Sequence, residues 1–170
     1  RALAIADLGR WTPVSGRGAR EVVRLDTVDP DLAIDLIDEA YNANPASMAA
    51  ALEVLAGAAV RDGVGRKAAG RRIAYLGDMK ELGPEAPALH AALAAHPSMV
   101  NVDIVHTVGP LAESLRKALP ASKRGRHTET AARMADAVRR DLDAGDVVMV
   151  KGSLSTGLGT VVDAIRKLGH

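Results

Sequence analysis

Three polar segments of this sequence hold residue types that could do chemistry. They are Asp38-Glu39-Ala40-Tyr41-Asn42-Ala43-Asn44-Pro45, Gly77-Asp78-Met79-Lys80-Glu81-Leu82-Gly83 and Lys151-Gly152-Ser153-Leu154-Ser155-Thr156-Gly157. Each follows an apolar run, and a fourth such run ends in Gly109-Pro110. Neighbouring carboxylates such as Asp38 and Glu39 can accept hydrogen bonds from ribose hydroxyls or ligate a metal, and they can equally end a strand in solvent. Successive strand residues point to opposite faces, so the two do not act as a pair. The Lys151 segment is rich in Gly, Ser and Thr and leads into a helical pattern whose free N–H groups favour anions. Gly152 and Gly157 have the spacing of a phosphate loop, but Leu158 and Gly159 stand where that loop requires Lys and then Ser or Thr. An ATPase phosphate loop is excluded, and an ordinary strand-to-helix turn is the simpler reading.

The remaining candidates form no constellation. His90 falls among alanines on a predicted helix and reads as a packed or surface histidine rather than a ligand. His96, His106, His127 and His170 lack metal-ligand spacing. Neither Ser153 nor Ser155 has an identifiable His/Asp pairing for nucleophilic catalysis. Gly63, Gly65 and Gly70 miss the G-x-G-x-x-G spacing, and no strand leads into them. No complete catalytic set and no metal site is assigned within the chain.

The elements that must position these segments follow from periodicity. Short apolar runs alternate with longer Ala/Leu-rich stretches of helical period. Strands are predicted at Glu21 to Leu25, Leu32 to Ile37, Arg72 to Leu76, Asp103 to Val108, Arg124 to His127 and Asp146 to Val150. The turn Asp29-Pro30-Asp31 is too short for a crossover, so the first two strands pair antiparallel. Helices are predicted from Asn44-Pro45 to about Val60, with Asn44 as N-cap, and over Pro84 to Ala95, Pro110 to Leu119, Thr128 to Leu142 and Leu158 to Leu168. Strands alternating with helices give a three-layer α/β domain with a mostly parallel sheet of about six strands, one of them antiparallel. Ligands of such a sheet bind beyond the carboxyl ends of its strands, which is where the polar segments fall. Chemistry and spacing alone stop at an anion- or nucleotide-friendly edge, which a non-catalytic α/β binding module would also have.

Composition narrows the class. The 170 residues suffice for one domain with a buried core, and 48% are hydrophobic. Lys plus Arg is 22 against 21 for Asp plus Glu, a net charge of +1 that argues against a nucleic-acid or membrane-surface binder. No cysteine is present, which excludes a Cys nucleophile and thiolate metal sites and suits a cytoplasmic protein. No run of about 18 apolar residues marks a membrane span. Phe is absent, and Trp11, Tyr41 and Tyr75 are the only aromatics, so aliphatic side chains must build the core. The chain starts at Arg1, and Arg1 to Leu8 reads as the tail of a helix, which suggests a piece of a longer protein.

The strand-end segments together resemble the C-terminal domain of the Mur ligases, in the branch that adds D-alanyl-D-alanine. The matching stretches are Gly16-Arg17-Gly18, Ile37 through Met48, Leu76 through Gly83 with His90, and Val150 through Ser153, in the order of that family. The resemblance implies a three-domain enzyme of which residues 1–170 are the third domain, a Rossmann-like closure domain, with residues 1–10 the connection from the central one. The full enzyme would join D-Ala-D-Ala to UDP-MurNAc-tripeptide with ATP and Mg2+, through an acyl phosphate, with the magnesium ligands on the central domain. By position, the resemblance implies that Arg17 reaches the ATP phosphates, Glu39 holds the ribose, and Asn42, Asn44 and Pro45 lie beside the adenine. Asp78, Lys151, Gly152 and Ser153 would face the incoming dipeptide. Glu39 stands where the family usually has aspartate, and Leu154 where it often has arginine. Another Mur ligase or a folylpolyglutamate synthase is the alternative within the superfamily.

Overall fold

Strands of this chain send alternate residues into two separate apolar clusters, as a sheet covered on both faces requires. In β3 (Arg72–Gly77), Ile73 and Tyr75 enter one cluster while Ala74 and Leu76 enter the other. In β6 (Val147–Lys151), Val148 and Val150 divide from Val147 and Met149 in the same way. The computed structural model describes residues 18–169. Arg17, Gly16 and the connecting role expected of residues 1–10 lie outside them.

The other strands are β1 (Ala19–Arg24), β2 (Ala33–Glu39), β4 (Ile104–Val108) and β5 (Arg124–Thr128). They form one six-stranded sheet in the order β1-β2-β6-β3-β4-β5. β1 runs antiparallel to β2, and every other neighbouring pair is parallel. The antiparallel pair is joined where expected, with the Asp26 carboxylate accepting from Val28 N and Asp29 N at 2.7 and 2.9 Å. Those two donors hold the Asp26 carboxyl below its ordinary pKa.

One face carries α1 (Pro45–Ala56), α2 (Ala86–Ala92) and α3 (Glu113–Ala118), and the other carries α4 (Ala131–Ala135), α5 (Val138–Asp141) and α6 (Gly159–Arg166). Asn44 caps α1 as its sequence predicts. Its Oδ1 accepts from Ser47 N at 2.8 Å, and Ser47 Oγ accepts from Asn44 N at 3.0 Å, with Pro45 in the first turn. The helix stops at Ala56 rather than Val60 because Gly57 caps it, its N–H donating to Glu53 O. The stretch read as one helix from Thr128 to Leu142 is two. β5 runs on to Thr128, Thr130 caps α4, and Ala137 N turns back to Met134 O, a tighter bond that separates the two helices. A proline-bearing 3₁₀ turn at Gly83–Glu85 and a second 3₁₀ turn at Leu93–Ala95 likewise shorten the helix predicted over Pro84 to Ala95. No described helix is long and apolar enough to cross a membrane.

Among the described residues, fully buried Tyr75 is the one Phe, Tyr or Trp in the core. It stacks on His106 with ring centroids 4.5 Å apart. His106 Nδ1 accepts from Arg126 N at 2.8 Å, and burial pushes the imidazole pKa down to about 4 despite the nearby Asp141 carboxylate. The folded state therefore disfavours the proton that the unfolded chain takes up near pH 6.5, so stability is full above that pH and falls as pH drops toward 4. Denaturant unfolding at pH 7.5 and pH 5 is expected to show a loss of about 2 kcal/mol from this group. His106→Asn, which keeps an acceptor for Arg126 N, is expected to remove that difference; an unchanged difference would assign it to other groups.

Candidate functional site

The carboxyl ends of β2, β3 and β6 are neighbours in the sheet, and their connections leave in different directions. The chain passes from β3 to α2 on one face and from β6 to α6 on the other. The β3–β6 seam is therefore a topological switch point, where an open α/β sheet forms its ligand crevice. The three polar segments of the sequence meet there.

The seam is tight. A Cβ on Gly152 would stand 2.7 Å from Leu158 Cδ1 and 3.2 Å from the Cα of Gly77, and one on Gly77 would meet Leu158 and Thr156 at 2.8 Å. Both glycines serve backbone approach, and the 152–157 turn is packed by Leu158 rather than open as a phosphate cradle. Beyond the seam the loops are tied by polar contacts. Ser153 N donates to Asp78 O at 3.1 Å, and Lys80 N donates to Ser153 Oγ at 2.9 Å. The Asp78 carboxylate is 1% exposed; Oδ1 accepts from Ala112 N at 2.7 Å, and Oδ2 pairs with Lys80 Nζ at 3.2 Å. Gly109, at φ 101°, lets the β4 loop pass over that carboxylate, where a Cβ would come within 2.5 Å of it.

Asp38 and Glu39 do part to opposite faces. The Asp38 carboxylate is buried, accepts from Ala40 N at 3.1 Å and meets Arg166 Nη2 of α6 at 3.4 Å. Glu39 turns to the other face, where its Oε2 lies 3.0 Å from Lys151 Nζ. Lys151 is buried and also donates to Asn42 O at 2.9 Å, so this ammonium ties β6 to the β2–α1 loop. Its two partners compensate a charge that would otherwise be costly to bury. Glu39 keeps 28% of its side chain exposed, so it can accept further hydrogen bonds at the rim. Asn42 is exposed, and its Oδ1 accepts from Ala43 N at 2.9 Å.

Two cavities flank a ridge made by Tyr41 and Leu154, the latter 63% exposed. One, of about 440 Å³, lies between Asn42, Lys80, Glu81, Ser153 and Ser155. The other, of about 460 Å³, lies over Asp38, Thr160 and Arg166 at the start of α6. Both are of the size that holds a nucleotide fragment or a small peptide. The first is lined by a cation, a carboxylate, an amide and two hydroxyls, a set that can orient a zwitterion or a polyol.

Of the residues that the sequence points to, Lys151 links Glu39 to the Asn42 backbone, Ser153 is tied to Asp78, Gly152 packs against Gly77, and Asn44 and Pro45 open α1 at the end of the β2 loop. Asp78, Lys151 and Gly152 are buried, Glu39 is partly exposed beside Lys151, and Asn42 and the largely buried Ser153 line the smaller cavity. Lys80, Glu81 and Arg166 were not singled out. Lys80 and Glu81 sit inside a segment that was, whereas no local signal links Arg166 to Asp38 across 128 positions.

A family model described as Mur ligase, glutamate ligase domain, matches residues 23–154. The UDP-N-acetylmuramoyl-tripeptide–D-alanyl-D-alanine ligase of Mycobacterium tuberculosis (strain CDC 1551 / Oshkosh) is 35% identical over 150 residues, covering 78% of this chain and 28% of that protein. The Bacillus subtilis (strain 168) protein of the same name is 31% identical over 144 residues, covering 82% of this chain and 30% of its own length. Among solved structures, MurF ligase from Thermotoga maritima in complex with ADP has a TM-score of 0.71 at 23% identity, over 97% of this chain and 34% of that one, a shared fold. The chain thus spans less than a third of the length of these two curated ligases. It belongs to the Mur ligase family, as a glutamate ligase domain of that family.

Proposed function

We infer that this chain is the C-terminal domain of an ATP-dependent ligase that joins D-Ala-D-Ala to UDP-MurNAc-tripeptide in peptidoglycan synthesis, in the cytoplasm where both ATP and the nucleotide-linked precursor are made. The observation that carries this reading is the match over 78 to 82% of the chain to proteins that bear that one ligase name. The polar rim described above supports it.

In the proposed reaction the tripeptide carboxylate attacks the γ-phosphorus of ATP, giving an acyl phosphate and ADP. The amine of D-Ala-D-Ala then attacks the acyl carbon, and the tetrahedral intermediate expels phosphate as the amide forms. The acyl phosphate must be shielded from water while the amine is held within reach, which favours a domain that closes over the nucleotide. Glu39 suits the ribose hydroxyls, because its carboxylate is anchored by Lys151 yet partly open at the rim. Asn42, Asn44 and Pro45 would flank the adenine, with Asn44 and Pro45 acting through the capped turn that opens α1. Arg17 would reach the phosphates as a fixed planar cation. Ser153 and the cavity beside it would take the dipeptide, with Asp78, Lys151 and Gly152 holding the loops that form it. Magnesium accompanies the ATP phosphates and belongs with the central domain; no residue of this chain is assigned to it.

The full-length gene product is expected to form UDP-MurNAc-pentapeptide from the tripeptide, D-Ala-D-Ala and ATP, and to rescue a strain conditionally lacking that activity. Preference for a single amino acid as acceptor would instead favour another Mur ligase. The 170 residues alone are expected to show no ATP turnover, and robust hydrolysis by them would overturn the reading. In the full-length enzyme, Arg17→Ala is expected to lower kcat by a factor on the order of 10² to 10³ without moving the melting temperature. Unchanged kinetics would remove Arg17 from the site.

A further inference from the structure

One buried side chain behind the rim is hydrogen-bonded to the β3 loop. His90, on α2, is 1% exposed, and both of its ring nitrogens are engaged. Nε2 accepts from Met79 N at 2.8 Å, and Nδ1 lies 2.7 Å from Ala86 O. A carbonyl oxygen can only accept, so Nδ1 carries the proton and Nε2 presents its lone pair to the loop. Met79 is itself fully buried, and no water can replace that acceptor cheaply. Directly after it, Lys80 N donates to Ser153 Oγ, and Glu81 adopts φ 63°, a left-handed conformation that a residue with a Cβ takes only where its surroundings impose it.

We propose that His90 is a positioning residue: by capturing Met79 N–H it fixes the Met79–Glu81 backbone, and with it the Lys80 and Glu81 wall of the cavity beside Ser153. The wall's role in holding the second substrate rests on the ligase reading above, whereas the clamp itself rests on geometry alone. A histidine that merely filled the core could be replaced by an apolar side chain. The clamp instead needs an acceptor at the Nε2 position, which glutamine can supply and leucine cannot.

Ring ¹⁵N spectra of the 170-residue chain are expected to show His90 protonated on Nδ1, the less common neutral tautomer. In His90→Leu, amide exchange at Met79, Lys80 and Glu81 is expected to accelerate about a hundredfold while β4 and β6 amides stay within about threefold of the parent. His90→Gln is expected to restore most of the protection. In the full-length ligase, His90→Leu is expected to raise KM for D-Ala-D-Ala about tenfold with KM for ATP within about twofold, and His90→Gln to recover it. A ring protonated on Nε2, unchanged loop exchange in His90→Leu, or equal rises in both KM values would overturn the proposal. Absence of ligase turnover in the parent full-length enzyme would refute the ligase reading only, since tautomer and exchange still decide the clamp.

Discussion

The Asp78 carboxylate is the contact on which the rim depends. It is held out of water, and its cost is met by Ala112 N from the β4 loop and by Lys80 Nζ from its own loop. Its backbone carbonyl receives Ser153 N and Thr156 Oγ1 from the β6 turn. One residue thereby fixes three loops relative to one another. The glycines around it follow as consequences: Gly109 makes room for the carboxylate, and Gly77 and Gly152 let the two strand ends close on Leu158. A site on loops is ordinarily imprecise, and such cross-ties give it a rigid frame.

The opposite edge of the sheet is closed by a different device. The segment between α1 and β3 lays arginines across the amino ends of the strands. Arg61 donates to Asp31 O and Ala33 O at 3.1 and 2.8 Å, and Arg71 pairs with the buried Asp146 at 2.8 Å while donating to Asp141 O. Asp143 accepts from Lys67 N at 2.7 Å and pairs with Arg66. These cations are spent on carbonyls and carboxylates of the fold itself. Arginine numbers in the sequence therefore say little about anionic partners. The site edge, by contrast, uses its charges sparingly and in pairs, which leaves Glu39 and Lys80 partly open to a ligand.

Much of the architecture was legible because its signals are local. Short apolar runs mark the strands other than β5, Asp29-Pro30-Asp31 can only join an antiparallel pair, and Asn44-Pro45 starts a helix through the Asn44 side chain. The separation of Asp38 from Glu39 followed from the pleat. What could not be read depends on distant pairing: that β6 lies between β2 and β3, that Lys151 reaches Glu39, and that Arg166 reaches Asp38. The break between α4 and α5 also escaped, because Ala131, Met134 and Val138 have continuous helical spacing and no Gly or Pro intervenes. Sequence leaves His90 as either a packed or a surface histidine; it is packed, and its hydrogen bond to Met79 depends on how α2 lies against the loop.

The strand order carries a kinetic consequence. Val147, at the start of β6, pairs with both Asp35 and Arg72, so the middle of the sheet is made of residues synthesised near the end of this sequence. Until β6 leaves the ribosome, β2 and β3 have no neighbour across the gap, and the two halves of the sheet expose facing, unpaired edges. Local pairing can join β1 to β2 and β3 to β4 early, but the halves can lock together only after residue 151 is available. The nascent domain therefore waits, open along its centre, for the strand that also delivers Lys151, Gly152 and Ser153 to the rim. Completion of the core and assembly of the site are one folding event.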